Sequence, residues 1–285
     1  MAHLNTNFKT PGRSRARSFF LPREHGAWGM LLVPIVTGAA AGSPRGERLI
    51  WTLLFAAAAL GLFCLRTPLE AGLGISALRP QNDGERKLVY YFISFYACVA
   101  CLPFAVLMLW ARAYGLLLLG AAAAIAFLLY SVLKRLGRNS RMNAQLTGAM
   151  ALSSTSAGAY YLATGHWGMT AAMLWLANWL FAANQIHFVQ LRIHTARAVA
   201  AIERFRQGRN FLFHQAACLL LLALIWRAGG FPSLMMMAFG LLFARGFAWF
   251  LQPARPLQVH RLGVRELLYA VVFGLSVFAG YHQIW

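Results

Sequence analysis

The chain has 285 residues, of which 60% are apolar and only 12% are charged. This is too little charge to cover a soluble domain of this size, so the excess apolar surface needs lipid. The 26 Lys and Arg outnumber the seven Asp and Glu, which gives a net charge of +19. Because the basic residues lie mainly in short segments between apolar runs, we interpret this charge as a topology signal and predict no nucleic-acid partner.

Apolar runs recur from residue 22 to the end of the chain. A helix needs about 20 residues to cross the hydrocarbon layer, and no stretch between the runs is long enough for a separate soluble domain. We predict a basic cytoplasmic tail at 1–21 and a single all-α, polytopic transmembrane domain at 22–285. The nine predicted spans are 22–41, 49–66, 89–110, 114–133, 146–163, 169–189, 211–226, 234–251 and 267–281.

The first polar cluster opens the first span, at 22–29. Proline suits the first helical turn, Glu24 meets the positive end of the helix dipole, and Arg23 and His25 lie beside free backbone N–H groups. This arrangement is typical of an anion site at a helix N-terminus. An interfacial cap, with Trp28 as a membrane anchor, explains the same residues.

The second cluster follows the second span. Arg66 and Glu70 are four residues apart, so on a continuing helix they share a face and can pair, although Pro68 can bend that turn. They are candidate ligand-binding residues, and a structural ion pair is the competing interpretation.

The third cluster extends the sixth span. Asn184, His187, Gln190, His194 and Arg197 are three or four residues apart, which places them on one helical stripe. A polar stripe near the inner edge of the membrane must face other helices or a cavity open to the cytoplasm. A seam of interhelical hydrogen bonds is the alternative to a ligand site.

Two further functions remain open from the residues alone. Arg245 lies deep in the eighth span and needs a partner or a cavity, as charges that line a transport path do. A b-type haem between helical histidines is the other alternative, with His25, His187, His194 and His214 as candidates.

The segment 22–31, PREHGAWGML, followed by Pro34 and Gly38, resembles the signature of the YwiC-like family of integral membrane proteins. The number and placement of spans also resemble, more distantly, the UbiA superfamily of membrane prenyltransferases. That resemblance implies a nine-helix bundle with an active site facing the cytoplasm. The segment 79–84 is similar to the RPxxxG turn after the first acidic motif of that superfamily, and 66–70 and 184–197 occupy the places of its two motifs.

The sequence departs from the UbiA superfamily where magnesium is bound. The resemblance implies two aspartate-rich motifs whose Mg²⁺ ions hold a diphosphate, because a hard cation takes several carboxylate or phosphate oxygens. This chain has one aspartate, Asp83, and only Glu70 and Glu203 are further acids near either place. We therefore predict no cofactor, and expect arginine and histidine to bind an anionic headgroup directly.

We expect a cytoplasm-facing polar pocket that binds an anionic lipid or isoprenoid-type molecule. Whether the protein also transforms that molecule, as a diverged prenyltransferase-like enzyme without the Asp-rich magnesium motifs, is left open. A small-molecule or ion transporter and a b-haem-binding membrane protein are the alternatives. The candidate ligand-binding residues are Arg23, Glu24, His25, Arg66, Glu70, Asn184, His187, His194 and Arg197.

We predict a cytoplasmic N-terminus and an external C-terminus, in the inner (cytoplasmic) membrane of the cell. With nine spans, twenty-one Lys and Arg fall in the segments on the side of the N-terminus and four in the opposite loops, and Arg245 lies within a span. Segments rich in Lys and Arg stay in the cytoplasm. Reporter fusions at the two ends should give opposite sidedness, and the same sidedness at both ends would refute an odd number of spans.

Overall fold

The computed structural model describes residues 25–75, 79–137, 140–195, 201–252 and 258–282. These residues form ten α-helices and no β-strand. The helices are α1 His25–Gly42, α2 Glu47–Gly72, α3 Asp83–Leu109, α4 Gly115–Arg135, α5 Arg141–Ser153, α6 Thr155–Thr164, α7 Met169–His194, α8 Ala201–Arg227, α9 Ser233–Leu251 and α10 Val259–His282. The all-helical, polytopic fold class predicted from the sequence is confirmed.

Each predicted span falls mainly on one of these helices, apart from one break, although α8 and α10 begin well before the spans predicted at 211–226 and 267–281. The span predicted at 146–163 is divided at Ser154 between α5 and α6. The hydroxyls of Ser154, Thr155 and Ser156 donate to backbone carbonyls three residues earlier, at 2.7, 2.6 and 2.8 Å. Side chains that bond to their own helix backbone often bend helices, so this polar run accounts for the break.

Six helices are long and apolar enough to cross a membrane by length and composition: α2, α3, α4, α8, α9 and α10. α1 is apolar but shorter. α7 is 26 residues long but includes polar residues among its apolar ones. The chain is therefore a multi-pass membrane protein, and the count of nine crossings stays a prediction.

The described chain divides into two compact units. The first comprises His25 and Leu54–Ala111. Here the backbones of α2 and α3 approach closely, because a Cβ at Gly61 would lie only 2.8 Å from the amide nitrogen of Ala100. Glycine at this position therefore permits the contact between the two helices.

The second unit comprises Gly26–Leu53 and the described residues from Arg112 onward. Its largest apolar core is built from α7, α8, α9 and α10. The ring of Phe181 stacks on that of Phe273 with centroids 4.2 Å apart, and Phe239 meets Phe273 edge-on at 5.5 Å. This core positions the polar residues of the same four helices.

Small residues bring α1 against α6 in the second unit. A Cβ at Gly38 would overlap the carbonyl oxygen of Ser156, and one at Gly42 would overlap the Cβ of Ala163. The two glycines form a GxxxG pattern, which lets helix backbones approach closely in membranes.

The Gly38→Leu variant should be strongly destabilised, because the contact at Gly38 is with backbone atoms that cannot move aside. We expect a loss of about 1–3 kcal/mol or more in free energy of unfolding, measured by thermal or denaturant unfolding in detergent. Gly120→Leu is the matched control, because Gly120 is exposed on α4 and a Cβ there meets nothing within 4 Å. Equal stability of the two variants would contradict the close packing of α1 and α6.

Candidate functional site

The predicted stripe of the third cluster lies on α7, which continues without a break to His194. Asn184 is buried, His187 is half-buried and His194 is exposed. The burial of the stripe therefore increases towards the middle of the helix, as the sequence indicates. Arg197 lies outside the described residues.

Asn184 belongs to a group of four polar side chains, one from each of the last four helices. Its amide nitrogen donates to Gln215 Oε1 of α8 at 3.0 Å, and its oxygen accepts from Arg245 Nη2 of α9 at 3.2 Å. Arg245 Nη1 forms an ion pair with Glu266 Oε2 of α10. We call Asn184, Gln215, Arg245 and Glu266 the interior polar cluster.

The ion pair of this cluster is almost fully removed from solvent and lipid. The side chains of Arg245 and Glu266 are 8% and 9% exposed. The guanidinium carbon of Arg245 lies 4.1 Å from the ring centroid of Phe188 and 4.7 Å from that of Tyr269. The charge is thus neutralised by one carboxylate and flanked by two aromatic rings, which attract cations.

The interior polar cluster has hydrogen-bonding capacity that the protein does not use. Gln215 Nε2, Arg245 Nε and Glu266 Oε1 are buried and have no hydrogen-bond partner. Buried polar groups in proteins are nearly always paired, with protein or with ordered molecules. These two donors and one acceptor can therefore hydrogen-bond to a polar molecule bound between the helices.

His187 lies on the same stripe but contacts a different group. Its ring stacks on that of His214 of α8, with centroids 3.8 Å apart and planes 19° apart. Cys218 Sγ lies 3.5 Å from His214 Nε2. Rings in direct contact leave no space for a porphyrin, so a haem between these two histidines would require them to separate.

His194 and Gln190 make local or peripheral contacts. His194 Nδ1 lies 2.7 Å from the Gln190 backbone oxygen, one turn earlier on α7. The Gln190 side chain donates to Gln145 of α5 at 3.0 Å. The second contact is an interhelical hydrogen bond of the kind that the alternative interpretation of this stripe predicts.

Arg66 and Glu70 lie in the first unit. Arg66 Nε donates to Glu70 Oε1 at 2.8 Å within α2, so the two residues pair across one helical turn despite Pro68, as the competing interpretation of this cluster expects. A small cavity of about 220 Å³ in the same unit is lined in part by Arg79, Pro80 and Arg86.

The candidate ligand-binding residues of the first cluster lie before or at the start of the described residues. Arg23 and Glu24 precede them, and nothing is described of the His25 side chain, although the helix begins at that residue. The anion site predicted at the start of the first span stays a prediction.

Two members of the interior polar cluster were missed by the sequence analysis. Gln215 is a polar residue within the predicted span 211–226, and this signal could have drawn attention to it. Glu266 immediately precedes the predicted span 267–281, so it was not considered as the partner that Arg245 needs. In the structure α10 begins earlier, at Val259, which places Glu266 well inside a helix.

Comparison with known proteins gives one partial match. The model of the family described as YwiC-like protein matches residues 21–160, a little under half of the chain. No curated protein and no solved structure shows a significant match to the chain. The matched segment covers α1 to most of α6, so the interior polar cluster of α7–α10 lies outside it.

We predict that breaking the buried ion pair is more harmful than removing it. Arg245→Met alone leaves Glu266 uncompensated and should cost about 3–5 kcal/mol of stability, whereas the double variant Arg245→Met/Glu266→Leu should recover much of that loss. Glu203→Gln, which alters a contact with Gln207 on the surface of α8, should change stability by less than about 0.5 kcal/mol. The measurement is a double-mutant cycle of unfolding in detergent, and additive single effects would show that the two side chains do not interact.

Proposed function

We propose that the protein is an integral membrane protein of the YwiC-like family that binds an anionic lipid or isoprenoid-type molecule among α7–α10. The observation that carries the proposal is the unused hydrogen-bonding capacity of the interior polar cluster. Gln215 Nε2, Arg245 Nε and Glu266 Oε1 are all buried without a partner. In a membrane an unsatisfied polar group costs several kcal/mol, so a bound polar group would relieve a real penalty.

The electrostatics favour an anionic polar group. Donors outnumber acceptors among the unpaired atoms of the cluster. Basic residues also outnumber acidic ones along α7–α10. These helices contain two acidic residues, Glu203 and Glu266, and eight basic ones: Arg192, Arg204, Arg206, Arg209, Arg227, Arg245, Arg261 and Arg265. A guanidinium group hydrogen-bonds to phosphate or carboxylate oxygens without a metal ion.

The surroundings of the cluster favour a molecule with a hydrocarbon part. Phe188 and Tyr269 lie against Arg245, and the large apolar core of the same four helices begins within one turn of Asn184, at Phe181. A ligand with an anionic head and an apolar tail would place its head at the unpaired donors of the interior polar cluster and its tail against the apolar core.

We further propose that the site opens to the cytoplasm of a cell with the bundle in its inner membrane. The separation of loop cations supports the orientation, and the UbiA-like placement of nine spans supports a pocket on that side. The chain would then keep a prenyltransferase-like layout without the aspartate-rich magnesium motifs, because Asp83 is its one aspartate.

Transport of a polar solute is the second candidate function. It is favoured by the ion pair between Arg245 and Glu266, since charged residues inside a helical bundle often mark a substrate or proton path. A transporter must expose its site to both sides in turn, whereas a binding protein or an enzyme need open to one side only.

We expect lipid to copurify with the protein and to depend on Gln215. Gln215→Met keeps the volume and the ion pair but removes an unpaired donor, so native mass spectrometry should show at least a tenfold loss of bound anionic lipid. Stability should fall by no more than the roughly 0.6–2 kcal/mol of a membrane interhelical hydrogen bond. Gln190→Met, which alters the seam with Gln145, should retain the lipid.

Loss of lipid from both glutamine variants, or from neither, would contradict binding at the interior polar cluster. Uptake of a soluble solute into vesicles that contain the purified protein, lost in Gln215→Met only, would favour transport instead.

A further inference from the structure

Three residues near the shared end of α7, α8 and α9 form a second polar group. Arg192 is in the last turn of α7, Arg204 is in the first turn of α8 and Trp249 is in the last turn of α9. Arg192 lies eight residues beyond Asn184, which corresponds to about 12 Å along the helix. The group is therefore separate from the interior polar cluster.

Two guanidinium groups lie over the same indole ring. The guanidinium carbon of Arg192 is 4.0 Å from the ring centroid of Trp249, and that of Arg204 is 5.7 Å from it. The two cations are therefore within about 10 Å of each other, which is the largest separation these two distances allow. One cation over a ring is a favourable contact, but two cations at this distance also repel each other.

The position of Arg204 is fixed by the end of α9. Its Nη1 group donates to the backbone oxygens of Gln252 at 2.5 Å and Trp249 at 3.4 Å. Carbonyls at a helix C-terminus lack partners within the helix, and an arginine there satisfies them. Arg204 is only 4% exposed, so this guanidinium is held in place inside the protein.

Each of the three residues carries a buried N–H group with no partner. Arg192 Nε, Arg204 Nε and Trp249 Nε1 are all inaccessible to solvent and make no hydrogen bond. A purely structural role for these residues does not explain the three donors, because burying an unpaired donor is unfavourable. A bound anion would accept hydrogen bonds from them.

The charges around this group are not balanced by carboxylates. In the described part of the chain, neither Arg192 nor Arg204 has an acidic side chain within ion-pair distance. Arg265 and Glu266 of α10 are close enough to act electrostatically on Arg192, but Glu266 is paired with Arg245. The group therefore keeps an excess of positive charge.

We propose that Arg192, Arg204 and Trp249 form a binding site for a phosphate group near the end of the helices. A phosphate group offers several oxygens and up to two negative charges, which fits donors that come from three different helices. It can belong to a lipid headgroup or to a soluble phosphate compound. The site does not rest on the function proposed above, because it shares no residue with the interior polar cluster.

Trp249→Phe separates this site from a structural role. Phenylalanine keeps the aromatic face under Arg192 but lacks the indole N–H. If Trp249 is structural only, the variant loses a buried unpaired donor and phosphate binding is unaffected. If Nε1 donates to phosphate, the variant binds phosphate more weakly while the fold is retained.

The test is calorimetric titration of the full-length protein in an uncharged detergent. Inorganic phosphate is one probe, and micelles containing phosphatidic acid are the other, with phosphatidylcholine micelles as the neutral reference. We expect saturable binding of at least one phosphate probe, weakened about tenfold in Trp249→Phe and in Arg192→Gln. Arg206→Gln, which removes the same charge from an exposed position on α8, should bind as the unaltered protein does.

The two probes distinguish the source of the phosphate group. Binding of phosphatidic acid alone assigns the site to a lipid headgroup, and binding of inorganic phosphate assigns it to a soluble compound. The proposal is overturned if neither probe binds, or if Trp249→Phe and Arg206→Gln change the affinity equally. Gln215→Met should leave the binding of inorganic phosphate intact, and it should also leave intact the part of phosphatidic acid binding that depends on Trp249. Failure at the interior polar cluster and failure at this site are therefore separate results.

Discussion

The charge of Arg245 is the constraint on which the second unit depends. A guanidinium group cannot lose its proton in a protein and is costly to place in hydrocarbon, so it must be met by other residues of the bundle. Glu266 supplies the opposite charge from α10, Asn184 accepts a hydrogen bond from α7, and Gln215 extends the contact to α8. Four helices are thereby held in one arrangement by polar contacts that lipid cannot replace.

Hydropathy predicted the fold well, because each apolar run must be helical to satisfy its backbone in a membrane. Hydropathy did not predict the break at Ser154, because it does not take account of side-chain hydroxyls that hydrogen-bond to backbone carbonyls of their own helix. The pairing of Arg66 with Glu70 was predictable because both residues lie on one helix. The pairing of Arg245 with Glu266 was not, because it depends on how two separate helices pack.

The family match and the polar residues lie in different parts of the chain. The matched segment, 21–160, includes the close packing of α1 and α6 at Gly38 and Gly42, which is a matter of backbone approach. The four buried polar side chains of the interior polar cluster all follow that segment. The family match therefore concerns the packing of the earlier helices. The ligand of the protein is inferred instead from the polar residues of α7–α10.

The two polar groups depend on one alignment of α7 with α9. Asn184 and Arg192 are eight residues apart on α7, and their contacts on α9, Arg245 and Trp249, are four residues apart in the same direction. The helices therefore run the same way, and a slide of one turn, about 5.4 Å, would separate both pairs. Arginine suits positions 192 and 245 because a planar guanidinium stacks on an aromatic face while its N–H groups hydrogen-bond in the plane. An ammonium group has no such plane, so lysine at either position would keep the charge and lose the in-plane donors.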